Sequence, residues 1–233
     1  MSENASTQND EQQNDSGLDL GWNHRWIASQ NSETAPTLLL LHGTGGNEDD
    51  MVSLGKALSA SANILSPRGP VLENGMPRFF RRHSIGVFDE DDLKIQTQAL
   101  SSFVADAASC YRFDASRVIA VGFSNGANIA ASLLLLSPQT LSGAVLLRAQ
   151  VPLQPDEKSD LSRVRVLLAS GEYDPIIPVE SARALATMLR ERGAHVTHEW
   201  QDAGHNLSSD DIEAASEWLQ KHSADDLTAD EHR

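Results

Sequence analysis

The sequence predicts an α/β fold with a mostly parallel central sheet, helices on both faces and no large cap domain. Three observations lead there. Apolar runs of strand length at 37–41, 118–121, 143–147 and 163–169 alternate with longer stretches of helical character. The run Val118-Ile119-Ala120-Val121 is β-branched and lacks polar alternation, which suits a strand buried on both faces. It passes through Gly122-Phe123-Ser124-Asn125-Gly126 into an Ala- and Leu-rich stretch, so a strand, a sharp turn and a helix follow one another. The spread of apolar runs across 233 residues fits a single domain, 21–222, between a polar, acidic tail (1–20) and a charged C-terminal tail (223–233).

Residues 1–20 carry almost nothing apolar, cannot offset the entropy of ordering, and are expected to be disordered. In 22–29, Trp22, His24 and Trp26 alternate with Asn23 and Arg25, the period of an edge strand. The strand at 37–41 runs into His42-Gly43-Thr44-Gly45-Gly46-Asn47, ahead of a helix expected over 49–60. This turn lacks the Gly-Lys-Ser or Gly-Lys-Thr of a phosphate loop and the spacing of a dinucleotide site. It is read as a loop that aims the Thr44 N–H at a neighbouring nucleophile, with His42 bracing it through hydrogen bonds.

A short strand at 63–66 ends in Pro67-Arg68-Gly69-Pro70, and the residues up to 90 show no clear period. They predict a long loop. Within it Arg78, Phe79 and Phe80 are candidate substrate contacts: a phenylalanine as a pocket wall, and one of Arg78, Arg81 and Arg82 as a cation for a polar or anionic substrate. The equal alternative is a surface loop whose arginines pair with the acidic excess. A helix follows over 91–111, with Leu93, Gln96, Leu100, Phe103, Val104 and Ala107 near one face.

Beyond the helix at 127–136, Ser137-Pro138 breaks the pattern and 143–147 supplies another strand. The Pro-containing connection at 152–160 is short, which argues for an open site. The strand at 163–169 ends in a turn containing Asp174-Pro175, the helix at 179–192 is stopped by Gly193, and the strand at 194–200 leads through Asp202-Ala203-Gly204-His205-Asn206 to a helix over 208–222.

Ser124, Asp174 and His205 each follow a separate strand, and ligands of parallel sheets bind beyond the carboxyl ends of strands. A serine hydroxyl is a poor nucleophile at neutral pH. It needs a histidine to accept its proton, and the histidine needs a carboxylate to fix its tautomer and stabilise its cation. The glycines at 122 and 126 free the space a strained serine turn requires. The N–H groups of Thr44 and Asn125 would stabilise the oxyanion. Glu172 and Asp202 are rival partners for the histidine, and Asp174, fixed by its Pro, is preferred.

Composition excludes other classes. A net charge of -15, from 33 acidic against 18 basic residues, argues against a nucleic-acid partner. The single cysteine, Cys110, rules out an intrachain disulfide and fits a reducing compartment. Neither a secretory segment nor an apolar run long enough to span a bilayer is present, so the expectation is a soluble, cytoplasmic protein with no cofactor and no metal. The expected partner is a small-molecule ester substrate; a second copy of the chain is also allowed.

Together, Leu38–Asn47, Gly122–Gly126, Tyr173-Asp174-Pro175 and Ala203-Gly204-His205 resemble the phospholipase/carboxylesterase family of α/β-hydrolases over nearly all of 22–220. Within it, Leu65–Pro70, Met76–Arg82 and Ser124–Ala130 resemble bacterial carboxylesterases linked to hydroquinone resistance. The resemblance implies a cofactor-free serine carboxylesterase acting on small to medium esters through an acyl-enzyme. Acyl thioesterases and dienelactone-type hydrolases are the alternatives it brings, although dienelactone hydrolases usually carry cysteine where this chain has Ser124. A hydrolase-fold protein that binds a small ligand without turnover is the rival from another class.

Overall fold

The computed structural model describes residues 20–222; apart from Leu20, the two tails expected from the sequence lie outside the described residues. The chain begins with β1 (His24–Ile27), β2 (Thr37–Leu41), α1 (Val52–Leu58) and β3 (Asn63–Pro67). Two small hairpins follow, β4 (Val71–Glu73) with β5 (Met76–Arg78) and β6 (Arg82–Ser84) with β7 (Val87–Phe88). Then come α2 (Glu90–Tyr111), β8 (Val118–Phe123), α3 (Asn125–Leu136) and β9 (Gly143–Leu147). The chain closes with β10 (Arg165–Gly171), α4 (Val179–Arg190), β11 (His195–Gln201) and α5 (Ser209–His222). Among the described residues no helix is long and apolar enough to cross a membrane.

Seven strands form one sheet in the order β1-β3-β2-β8-β9-β10-β11, parallel throughout except for the edge strand β1, which runs antiparallel to β3. The two-residue side-chain period explains why the sheet is covered on both faces. In β2, Leu39 and Leu41 join a cluster with Phe103 of α2, Leu133 of α3 and Leu185 of α4. Leu38 and Leu40 point the other way, toward Leu58 of α1 and Trp218 and Leu219 of α5. All four leucines are fully buried. Burying each such side chain contributes about 1.5–3 kcal/mol, so a polar residue at any of them would be costly. Strand β8 lies in the middle of the sheet, and its carboxyl end therefore faces a crevice between the loops of its neighbours.

The stretch 71–90 departs from the expected irregular loop. Asn74 and Gly75 take positive φ values of 52° and 81° between β4 and β5. Asn-Gly with both residues at positive φ is the turn that closes a two-residue hairpin. Its strands are three residues long, too short to leave a period in the sequence. The helix expected over 49–60 is shorter, spanning Val52–Leu58.

His198, on β11, is packed beside Trp200 with ring centroids 4.7 Å apart and lies 3.1 Å from Ser170 Oγ. Burial, and then the charges of Arg190 and Arg183, lower its pKa from 6.5 to about 4. The unfolded chain therefore takes up this proton before the folded one does. The stability contribution is constant above the unfolded value of 6.5, falls as pH drops toward about 4, and changes no further below that. Denaturant unfolding between pH 7 and 4 should show that loss, and His198→Gln should flatten the slope in this window. A slope identical to wild type would count against His198 as its source.

Candidate active site

Ser124 ends the sharp turn between β8 and α3 with φ 52° and ψ −111°, a conformation that side-chain-bearing residues rarely adopt. Such strain costs on the order of 1–3 kcal/mol and persists only where the surroundings impose it. Here they do. The Ser124 N–H donates to Leu147 O at 2.9 Å, tying the turn to β9. A Cβ on Gly122 would lie 2.6 Å from Gly126 O, and one on Gly126 would lie 1.9 Å from Leu41 O. Only glycine at both positions lets α3 start this close to β2 and β8.

The three residues singled out by the sequence meet at this point. Ser124 Oγ is 2.9 Å from His205 Nε2, and His205 Nδ1 is 2.8 Å from Asp174 Oδ2. An ionised carboxylate only accepts, so Nδ1 carries the ring proton and Nε2 presents its lone pair to the serine hydroxyl. The other Asp174 oxygen accepts from the N–H groups of Ile176 and Ile177, at 2.8 and 3.0 Å, which fixes the carboxylate. The Asp174 side chain is 1% exposed, while Glu172 and Asp202 are exposed. The Phe123 ring packs 5.4 Å from the imidazole.

Thr44 and Asn125 flank the serine in the same cleft. No protein atom among the described residues accepts from the Thr44 N–H, and Asn125 opens α3, in the turn whose N–H groups have no intrahelical acceptor. Two donors are thus free beside the serine. The Thr44 loop is held by Gly45 N donating to Pro77 O at 2.9 Å and by the buried His42, whose Nδ1 donates to Gly43 O at 2.6 Å. His42 Nε2 accepts from the Gly69 N–H at 2.9 Å. Burial lowers the His42 pKa and keeps the ring neutral for this bracing geometry, as the sequence suggested.

The substrate contacts expected from 78–82 divide. Phe79 and Phe80 are 0% exposed and do not line the cleft: Phe79 packs on His42 and Trp22, Phe80 edge-on against Phe88. Both rings are core, because the backbone that turns them inward also carries the Phe79 N–H to Asn125 Oδ1 at 2.8 Å. Arg81 is turned outward, paired with Asp89 and Asp92. Arg78 and Arg82 do line the cleft, together with Asn128, Gln150, Phe88, Ile176 and Ile177. Arg78 Nη1 donates to Thr44 Oγ1 at 2.7 Å, so this arginine also braces the loop beside the serine. Burial, and then the charge of Arg82, lower its pKa, but a guanidinium stays cationic at any pH the fold survives.

No local pattern in the sequence points to the brace under His205. Arg148, directly after β9, is fully buried and donates to Asp211 Oδ1 and Oδ2 at 2.7 and 2.6 Å. It also donates to the carbonyls of Gly204 (2.8 Å) and Asn206 (3.1 Å), on either side of the histidine, and of Ala169 (3.2 Å). Among the described residues no cluster of His, Cys, Asp or Glu is placed to hold a metal ion. What the site can do chemically is deprotonate a serine, hold an imidazolium and stabilise an oxyanion, the requirements of acyl transfer.

Comparison with known proteins agrees with that geometry. A family model described as phospholipase/carboxylesterase matches residues 22–223. The candidate hydrolase MhqD of Bacillus subtilis is 49% identical over 184 residues, 79% of this chain and 92% of MhqD. The Bacillus cereus carboxylesterase structure superposes with a TM-score of 0.83 at 44% identity, covering 86% of this chain and 94% of that one. YahD, solved with malic acid, superposes with a TM-score of 0.81 at 27% identity, covering 86% of this chain and 98% of YahD.

Proposed function

The chain belongs to the phospholipase/carboxylesterase family of hydrolases, and from that premise we propose that it is a serine carboxylesterase for small esters, working through an acyl-enzyme. Ser124 Oγ attacks the ester carbonyl while His205 Nε2 takes its proton. The tetrahedral oxyanion is held by the N–H groups of Thr44 and Asn125. Collapse breaks the ester C–O bond, and the imidazolium gives its proton to the departing alcohol. Water, deprotonated in turn by His205, attacks the acyl-enzyme and releases the acid and the free serine. Asp174 keeps the ring proton on Nδ1 throughout and stabilises the cation. No step calls for a cofactor.

The single observation that carries this reading is the unbroken relay from Asp174 Oδ2 through His205 to Ser124 Oγ, at 2.8 and 2.9 Å. A protein that only bound a ligand would have no need of a correctly tautomerised imidazole against a strained serine. The small, polar malic acid with which the similar YahD was solved supports the short-substrate reading.

Fluorophosphonate treatment followed by peptide mass spectrometry should give one adduct, on Ser124, and p-nitrophenyl acetate should turn over. A protein that neither labels nor turns over would leave the relay without a reaction and sink the proposal.

A further inference from the structure

We propose that the cleft beside Ser124 is an anion-binding specificity pocket, and that the ester this chain hydrolyses is a short one carrying a free carboxylate. The inference rests on the serine esterase reading and names its substrate class.

A pocket built for an alkyl chain is lined mostly by apolar side chains with a few polar groups. This one carries an unusual number of polar groups. Arg78, Arg82, Asn125, Asn128 and Gln150 all reach its wall, beside Phe88, Ile176 and Ile177. An alkyl group seated there would cover donors without giving them acceptors, and each buried donor left unpaired weakens binding.

The charges do not cancel either. Two guanidinium groups face one carboxylate, Glu73, which accepts a hydrogen bond from Arg82 Nε at 3.0 Å and lies 3.3 Å from Arg78 Nη1. Among the side chains that line the cleft one positive charge is left over, in a chain whose net charge is -15; the other acid of the site, Asp174, stands behind His205 and is bonded to it. Arg81, by contrast, is neutralised outside the cleft by Asp89 and Asp92.

Donors are available to meet an anion. Arg78 spends Nε on Phe80 O and Nη1 on Thr44 Oγ1, and Arg82 spends Nε on Glu73. Among the described residues, Arg78 Nη2 and both terminal nitrogens of Arg82 donate to no protein atom. Asn125 Nδ2 is buried without a partner, and its orientation is fixed because Oδ1 already accepts from Phe79 N. A carboxylate, with about four acceptor sites, suits such a set of donors and one surplus positive charge.

The test compares monomethyl succinate with its neutral analogue methyl succinamate by pH-stat kinetics, with p-nitrophenyl acetate as reference. The wild type should favour the anion in kcat/KM by about 10- to 100-fold, the range expected of charge-assisted hydrogen bonds. Arg82→Gln and Arg78→Gln should each shrink that preference about tenfold or more, and Arg81→Gln should keep it. Arg78 is woven into the Thr44 loop, so Arg82→Gln carries the test if Arg78→Gln does not fold. Normal p-nitrophenyl acetate turnover without an anion preference, or a preference that survives loss of Arg82, overturns the pocket and spares the esterase reading. If the protein fails to turn over at all, calorimetric titration with succinate decides: binding that Arg82→Gln abolishes supports the anion pocket, and no binding overturns it.

Discussion

Ser124→Ala is expected to lower kcat on p-nitrophenyl acetate by about 10⁴-fold or more, equivalent to about 5.5 kcal/mol of transition-state stabilisation. The size follows from what the substitution removes and what it leaves. Alanine keeps the Cβ, so the backbone at φ 52° is no more strained than before, and the Ser124 N–H still donates to Leu147 O. The N–H groups of Thr44 and Asn125 and the cleft are untouched, so KM should change little and the folded state should keep its stability. Only the nucleophile is gone. The remaining donors can still favour direct attack by water, which is why a residual rate above background is expected. Asp174→Asn should fall into the same range by a different route. An amide nitrogen facing Nδ1 would favour the wrong tautomer and take the lone pair away from Nε2. A Ser124→Ala variant that keeps a hundredth of wild-type turnover in matched preparations would show that the relay is not the catalyst.

The three residues that meet here are legible in the sequence because each follows the carboxyl end of its own strand, where local signals are strong. A β-branched run, two glycines and an Ala/Leu helix mark Ser124. A Gly-His turn after the last strand marks His205. The choice of Asp174 over Glu172 and Asp202 rested on its proline, and the structure supplies the physical reason: Asp174 Oδ1 is occupied by two backbone N–H groups, leaving Oδ2 aimed at the histidine. The turn at Asn74-Gly75 was also present as a hairpin signal, but strands of three residues carry no period to accompany it.

What escaped sequence reading depends on long-range packing. Phe79 and Phe80 look like candidate pocket walls because a loop could turn one of two adjacent rings into a site. Here both are buried, one against His42 and the other against Phe88, and the neighbouring Arg78 reaches the cleft instead. No local pattern sorts Arg78 and Arg82 from Arg81, since the distinction lies in where Glu73, Asp89 and Asp92 stand in space. The most consequential omission is the pair Arg148 and Asp211, separated by 63 residues. In the sequence one is a cation at the end of an apolar strand and the other an acid near a helix start, each unremarkable by itself.

Breaking that pair should cost about 3–5 kcal/mol of stability, because removing either partner leaves the other charged, buried and unsatisfied. The bonding is complete as it stands. All five guanidinium N–H groups are used, two on Asp211 and three on the carbonyls of Gly204, Asn206 and Ala169. Asp211 Oδ2 also accepts from Ser208 N and Oγ at 2.8 Å, which ties the start of α5 to the same point. Arg148→Met and Asp211→Leu should therefore each lower the midpoint of denaturant unfolding sharply. The double variant should recover much of the loss, since an apolar pair needs no compensating charge. Its activity should not recover with its stability. The carbonyls at 204 and 206 lose their donors in the double variant too, and the imidazole between them is then held less firmly against Ser124; displacing a catalytic group by about 1 Å can cost on the order of 100-fold in rate. Stability restored with kcat still depressed and KM near normal would show that Arg148 positions His205. If stability and kcat returned together, the ion pair would be a fold element alone, and the geometry of His205 would have to come from Asp174 and Phe123.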